Sequence, residues 1–258
     1  MQSLRGKRVL VTRPAHQADE QIRLLQQAGA QALPLPLLKI TPTPEDSPEF
    51  QLLKSQILDL DLYQKIIFIS ANAVHYGFDL IDQYWPQLPV GIDWLAIGKQ
   101  TAATMATYQV KALHSDSGYD SESLLASEYL QQVANTRILI MRGQGGRETL
   151  AETLRQRGAQ VDYADLYLRS CPDYTPQQIS STIGNQSLDA VIITSGEALQ
   201  NLTTVLADRV ITQVPLVVPG QRVAQMAKQQ GFTRIIVAPG PDSETMVQSL
   251  LSNLDMDE

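Results

Sequence analysis

The chain carries one sequence pattern twice, and this internal repeat limits its possible folds more than any other feature. The run Arg8–Arg13 returns as Arg137–Arg142, and Gly29-Ala30-Gln31 returns at the same offset as Gly158-Ala159-Gln160. Three more pairs follow in the same order at slightly shorter offsets: 68–70 with 193–195, 98 with 220, and 120–122 with 242–244. A decreasing offset is expected when loops lose a few residues while the helices and strands between them stay in place. The sequence therefore predicts two copies of one structural unit.

Each copy alternates short apolar runs with amphipathic segments. The runs predict strands at 9–12, 32–35, 66–69, 94–97 and 111–114, and in the other copy at 138–141, 161–166, 191–194, 216–218 and 235–238. Apolar strands that alternate with amphipathic helices are typical of a parallel sheet covered on both faces. We therefore predict an α/β fold of two similar lobes, each a parallel five-stranded sheet flanked by helices. A single ten-stranded sheet is the less favoured alternative, because single cores stop growing at this size.

Prolines cluster at the same point of both copies, after the second predicted strand. They are Pro34, Pro36, Pro42, Pro44 and Pro48 in one copy and Pro172 and Pro176 in the other. Such clusters mark joints between structural elements. Two crossings here would allow the copies to exchange their opening β-α-β units, a question that the residues leave open.

Composition excludes several classes of protein. A net charge of -7 over 258 residues argues against a general nucleic-acid binder, which needs a basic surface. One cysteine, Cys171, excludes an internal disulfide and a multi-cysteine metal site, and the three histidines are scattered, so no metal site is expected. No apolar stretch approaches the ~20 residues of a membrane span. The first eleven residues lack the apolar run of a secretory signal. We expect a cytoplasmic protein that contacts no membrane.

The loops that follow the predicted strands are rich in glycine, hydroxyl residues and single cations. Ligands of parallel sheets bind beyond the carboxyl ends of the strands, where free N–H groups at helix N-termini favour anions. The candidate contacts are Arg13, Ser70, Ala71, Asn72, Gly98, Thr101, Arg142, Gly143, Ser195, Gly196, Gly220, Gln221 and Arg222. These loops predict a ligand with several negative groups, bound in a cleft between the two lobes.

Each motif also has a purely structural interpretation. Ser70 and Ser195 are equally well explained as helix N-caps, and Asp120 and Asp242 are better explained as caps than as catalytic groups. The loop 142–147 lacks the lysine of a P-loop and the spacing of a dinucleotide fingerprint, so nucleotide binding is disfavoured.

Together these motifs resemble those of the uroporphyrinogen-III synthase family, from about Arg8 to Leu250. The motifs are 11–14, 69–74, 96–98 with Thr101-Ala102, 142–148, 166–169, 193–196 and 242–244. Their joint order makes the resemblance specific. One loop departs from the family pattern: Gln221-Arg222 stands where many members carry a threonine pair or Thr-Ala.

The resemblance implies a particular architecture. Residues 1–36 and 174–258 would form one lobe, and residues 42–166 the other. Two extended linkers, 37–41 and 167–173, would join the lobes, with the cleft between them.

The resemblance also implies an activity. The implied lyase reaction converts hydroxymethylbilane, a linear tetrapyrrole with eight carboxylates, into uroporphyrinogen III; water is lost and the terminal pyrrole ring is inverted. No cofactor is implied. Tyr167 matches the tyrosine most often implicated in the family, and a phenol, protonated at neutral pH, suits a proton donor. A linker tyrosine packed between the lobes is the structural alternative. We expect a monomer that makes transient contact with the preceding enzyme of the pathway.

Two other functions remain as alternatives. A non-catalytic, two-lobed intracellular binding protein would bind the tetrapyrrole without changing the isomer ratio of the product. A nucleotide-dependent transferase would bind ATP or a nucleotide sugar, for which the sequence offers no matching phosphate loop.

Overall fold

The computed structural model describes residues 3–115, 120–146, 148–184, 186–207 and 211–254. Arg147, part of a motif named above, lies outside the described residues. The strands are β1 (Arg8–Val11), β2 (Gln31–Pro34), β3 (Lys39–Pro42), β4 (Lys65–Phe68), β5 (Asp93–Ala96), β6 (Arg137–Gly143), β7 (Gln160–Ser170), β8 (Ala190–Ile192), β9 (Leu216–Pro219) and β10 (Ile235–Ala238). The α-helices are α1 (Ala15–Gln27), α2 (Pro48–Leu58), α3 (Ala71–Tyr84), α4 (Lys99–Thr107), α5 (Ser121–Ala126), α6 (Thr149–Gln156), α7 (Pro176–Ile183), α8 (Gly196–Val205), α9 (Gly220–Gln229) and α10 (Ser243–Asn253).

The chain divides into two compact units. The first unit combines Met1–Lys39 with Ser170–Glu258, and the second unit is Ile40–Arg169. Strand β1 pairs in parallel with β8, so the opening β-α-β segment shares a sheet with the C-terminal part of the chain.

The first unit has a five-stranded sheet in the order β10-β9-β8-β1-β2. Its strand pairs are parallel, and its central strands are buried on both faces. Leu10 packs in one apolar cluster while Val9 and Val11 pack in the other, because successive side chains of a strand point to opposite faces. The strand order reverses between β1 and β8, which is the place where such sheets bind ligands.

The second unit has a five-stranded sheet in the order β3-β7-β6-β4-β5. In the sequence repeat, β6, β7, β4 and β5 correspond to β1, β2, β8 and β9, and the four strands have the same neighbours in both sheets. The order therefore reverses between β6 and β4. As in the first unit, Leu139 and Met141 face one core and Ile138 and Ile140 face the other.

The fifth strand of the second sheet is not the one that the sequence predicts. The predicted strand 111–114 contributes only a single bridge, between Leu113 and Leu95. The Leu113 N–H donates to the carbonyl of Trp94, and the Leu113 carbonyl accepts from the N–H of Ala96, both in β5. The pairing with β5 ends at Leu113. The edge beside β7 is instead covered by β3. That strand and the end of β7 overlap the predicted linkers 37–41 and 167–173, so parts of both segments belong to the sheet.

Candidate active site

The second unit contains a cavity of about 310 Å³ at the carboxyl ends of its strands. Ile69 follows β4, Ile97 follows β5, and Arg142 and Gly143 end β6; all four line the cavity. It therefore lies where the strand order reverses, the usual position of a ligand site in this kind of sheet. The other lining residues are Asp120, Ser121, Ile140, Gly145, Gly146, Leu150, Tyr163 and Arg169.

Arg142 is held by two carboxylates and an aromatic ring. Its Nε donates to Asp165 Oδ1 at 2.8 Å, and a terminal nitrogen donates to Glu148 Oε1 at 3.1 Å. The guanidinium carbon lies 3.4 Å from the ring centroid of Tyr163. The Tyr163 hydroxyl donates to the other oxygen of Glu148 at 2.6 Å. We call these four residues the Arg142 cluster.

The charges of the Arg142 cluster stabilise one another. Burial lowers the pKa of Arg142, but hydrogen bonds to Asp165 and Glu148 outweigh this effect and raise the pKa above its ordinary value. The hydrogen bonds from Tyr163 and Arg142 lower the pKa of Glu148. Burial and the bond to Glu148 raise the pKa of Tyr163 to about 12. At neutral pH the cluster therefore holds a guanidinium, a carboxylate at Glu148 and a protonated phenol.

Tyr167 lies on the other face of the same sheet. It is 3% exposed and belongs to the apolar cluster that contains Leu166, whereas Tyr163 packs against the opposite cluster. The pairing of β6 with β7 shifts at Arg142/Gly143, so that Arg142 faces Asp165 while Gly143 faces Tyr167. This bulge reverses the direction of the following side chain. Without it, Tyr167 would share a face with Tyr163.

The Tyr167 ring is enclosed on several sides. Its hydroxyl lies 3.1 Å from Ser70 Oγ, and its ring packs against Tyr76 with centroids 5.4 Å apart. A Cβ atom at residue 143 would lie 2.3 Å from the ring, so only glycine fits at the bulge.

Ser70 and Ser195 are N-caps at equivalent places. Ser70 Oγ accepts from the Ala73 N–H of α3 at 3.0 Å, and Ser195 Oγ accepts from the Ala198 N–H of α8 at 3.1 Å. The cap interpretation of both serines is therefore correct. Ala71 and Asn72 form the first turn of α3 behind Ser70.

The same correspondence extends to the other helices. Asp120 and Asp242 cap α5 and α10. In each case Oδ1 of the aspartate accepts, at 2.8 Å, from the backbone N–H three residues further along the chain. By contrast, α1 and its counterpart α6 have no side-chain N-cap bond among the described residues, and neither do α4 and α9. Four helices in two matched pairs thus begin without a side-chain cap, and we call their N-termini open.

The open ends of α4 and α9 carry further candidate residues. Gly98 precedes α4, and Thr101 in its first turn is 5% exposed. Gly220 begins α9 with φ +74, and nothing lies within 4 Å of a Cβ built there. Gln221 and Arg222 follow it and are exposed.

Arg13 occupies the position in the first unit that Arg142 occupies in the second. A terminal nitrogen of Arg13 donates to the carbonyl of Pro241. Burial lowers the pKa of Arg13, while the charges of Glu20 and Asp242 oppose this change. The repeat therefore conserves the residue type but not its partners.

Comparison with known proteins identifies the family. The family model described as uroporphyrinogen-III synthase HemD matches residues 19–248. The chain belongs to the uroporphyrinogen-III synthase family. It is 30% identical over 250 residues to the uroporphyrinogen-III synthase of Escherichia coli, covering 94% of this chain and 99% of that protein. It is 29% identical to the Salmonella typhimurium protein of the same name, covering 94% and 99%.

Solved structures agree on the fold. A mutant uroporphyrinogen III synthase of Thermus thermophilus matches with a TM-score of 0.63 at 16% identity, over 98% of this chain and all of that one. The Helicobacter pylori uroporphyrinogen-III synthetase also matches with a TM-score of 0.63, at 15% identity, over 95% and 99%. The sequence-based prediction of a uroporphyrinogen-III synthase, with parallel sheets flanked by helices, is confirmed.

The structure brings together two pairs of the candidate site residues of this uroporphyrinogen-III synthase. The hydroxyl oxygens of Ser70 and Tyr167 lie 3.1 Å apart, and Arg142 and Gly143 both line the cavity. Gly196 has a packing role: a Cβ there would lie 2.9 Å from Met226 Cε of the neighbouring α9.

Sequence reasoning missed three members of the Arg142 cluster, Glu148, Tyr163 and Asp165. Tyr163 and Asp165 alternate along β7 with the period of a strand, and this signal could have placed both on one face. Glu148 lay within the family motif 142–148, but nothing in the sequence indicated that it would contact Arg142.

Two absences hold for the described part of the chain. No group of three or more His, Cys, Asp or Glu side chains there could hold a metal ion. No helix in the same residues is long and apolar enough to cross a membrane.

Proposed function

We propose that this uroporphyrinogen-III synthase converts hydroxymethylbilane into uroporphyrinogen III and one molecule of water, as a cyclising lyase. The observation that carries this proposal is the family match, which runs through both units of the chain. The open helix N-termini and the cavity support a ligand that bears carboxylates.

The chemistry needs a proton donor and precise positioning. The hydroxyl of the terminal hydroxymethyl group leaves as water once protonated, and the electron-rich pyrrole stabilises the resulting azafulvenium cation. The substituted carbon of the terminal ring attacks this cation and forms a spiro intermediate. Fragmentation and reclosure then invert the ring and release the proton that restores the pyrrole. A positioned acid supplies roughly 10²–10⁴ in rate, and orientation removes about 7–11 kcal/mol of the barrier.

Tyr167 is the proposed proton donor. Its hydroxyl is held by Ser70, itself fixed as the N-cap of α3, so the phenol has a defined direction. The enclosure by Gly143 and Tyr76 limits ring rotation. We expect Tyr167→Phe to slow turnover while some type III isomer still forms, because positioning supplies most of the acceleration.

Substrate carboxylates are proposed to contact loops of both units. Those loops include the open N-termini of α1, α4, α6 and α9. Four expectations remain predictions: that a cleft lies between two lobes, that the protein is a monomer, that it is cytoplasmic, and that it transiently contacts the preceding enzyme. Variants that remove a cation in one unit alone, such as Arg222→Gln, should raise KM if both units bind substrate.

The decisive test is the isomer ratio. The protein is incubated with hydroxymethylbilane, the products are oxidised to porphyrins, and types I and III are separated. Type III in excess over a protein-free control supports the proposal. Tetrapyrrole binding with no change in isomer ratio would instead support the non-catalytic binding protein.

A further inference from the structure

Glu148 is bound in the way that a substrate carboxylate would be. One of its oxygens accepts from Arg142 at 3.1 Å, and the other accepts from the Tyr163 hydroxyl at 2.6 Å. We propose that Glu148 occupies, in the free protein, the place that one substrate carboxylate takes on Arg142 and Tyr163. This inference rests on the proposed function, and it makes Glu148 a residue that sets substrate affinity.

The two carboxylates of the Arg142 cluster differ in how easily they can leave. Asp165 lies on β7, beside β6, and its side chain is 32% exposed. Glu148 lies in the loop before α6, and its side chain is 46% exposed. Water screens exposed ion pairs and makes them weak, so Glu148 is the partner that an incoming anion displaces.

Displacement of Glu148 leaves α6 intact. Glu148 precedes the first residue of α6, yet its side chain makes no capping hydrogen bond to that helix. The helix therefore does not depend on the carboxylate. An N-cap such as Ser70 would lose its capping bond if it moved in the same way.

The rest of the Arg142 cluster keeps its geometry when Glu148 leaves. Two contacts of the Arg142 guanidinium do not involve Glu148: Asp165 accepts from Nε at 2.8 Å, and the Tyr163 ring centroid lies 3.4 Å from the guanidinium carbon. The incoming carboxylate then finds a guanidinium N–H and a phenol O–H already aimed at one place. Such preorganised donors favour binding, since little order is lost.

The cavity provides a route to this place. Arg142 and Tyr163 both line it, together with Gly145 and Gly146. Nothing lies within 4 Å of a Cβ built on either glycine, so the loop leaves open space beside the donors. A volume of about 310 Å³ accepts an acetate or propionate side chain with its pyrrole ring.

The test removes the charge of Glu148 and keeps its shape. In the full chain, Glu148→Gln should lower KM for hydroxymethylbilane by about two- to fivefold, the range of a weak exposed ion pair, and this change should exceed any change in kcat. Glu152→Gln is the matched control, because Glu152 is an acid on the following helix. Asp165→Asn should act in the opposite direction and raise KM, since it loosens Arg142.

A binding measurement separates this inference from the proposed function. Uroporphyrin III, a stable octacarboxylate, is titrated into each variant and followed by fluorescence. Tighter binding by Glu148→Gln than by wild type and Glu152→Gln supports the exchange, even if no type III isomer is formed. Equal or weaker binding by Glu148→Gln, or no binding by any variant, overturns it. Failure of the isomer assay alone refutes only the proposed function.

Discussion

A Cβ atom on Gly143 would lie 2.3 Å from Cε2 of Tyr167, inside the ring's van der Waals surface. The two residues face each other across β6 and β7, at the shift in register. The bulge brings the backbone of residue 143 close to the ring, and the absence of a side chain permits this approach. The position of Tyr167 is thus set by a residue in a different part of the chain.

Gly143→Ala should displace the Tyr167 ring and reduce both stability and turnover. Overpacking of this kind costs about 1–3 kcal/mol of unfolding free energy. Denaturant unfolding and the rate of type III formation measure the two effects. Gly91→Ala is the control for stability loss alone, because an alanine is strained at φ +80 while its Cβ meets nothing within 4 Å, so its turnover should stay at the wild-type value. If Gly143→Ala keeps wild-type turnover, the enclosure of Tyr167 is irrelevant to the reaction.

Ser70→Ala should destabilise the protein more than Ser195→Ala does. Both substitutions remove an equivalent N-cap, worth about 0.5–2 kcal/mol, but Ser70 also bonds to Tyr167. The extra loss, about 0.5–1.5 kcal/mol for one hydrogen bond, should disappear in a Tyr167→Phe background. A double-mutant cycle measured by urea unfolding gives this coupling. A coupling energy of zero would contradict the hydrogen bond.

Gln21→Met should stabilise the protein. Gln21 is fully buried on α1, and neither of its amide atoms has a hydrogen-bond partner among the residues described. An unsatisfied buried polar group costs about 1–3 kcal/mol, and methionine has a similar shape without that cost. The melting temperature should rise. Gln26→Met, on the exposed face of the same helix, should change it little. A lower melting temperature for Gln21→Met would disprove this account.

The contribution of Glu148 to the stability of the folded protein should change with pH in the acid range. Its pKa is lowered in the folded protein from the ordinary 4.5 by bonds from Tyr163 and Arg142. A lowered folded-state pKa means that the contribution is complete above about 4.5 and is lost as pH falls through the folded-state value. The melting temperature of wild type should therefore exceed that of Glu148→Gln at pH 7, and the gap should narrow as pH falls below about 4.5. A gap that is constant with pH would show that the carboxylate charge is not involved.

The sequence alone predicted the features that depend on residues close to one another along the chain. Apolar runs predicted nine of the strands of the described chain, because burial on both faces requires continuous apolar residues. Asp120 and Asp242 were predicted to be caps, and capping was one of two interpretations of Ser70 and Ser195, since a capping bond spans only three residues. The repeat and the ordered motifs were enough to predict the family.

Tertiary structure decided what depends on partners far along the chain. Whether 39–42 or 111–114 completes the second sheet depends on which edge each segment reaches, and local pattern cannot show this. The direction of Tyr167 depends on a bulge against Gly143, and a shift of one residue moves a side chain to the other face of a sheet. Arg142 meets Asp165 only because β6 and β7 pair in one register. Local pattern determines which elements form, whereas register and pairing determine which side chains meet.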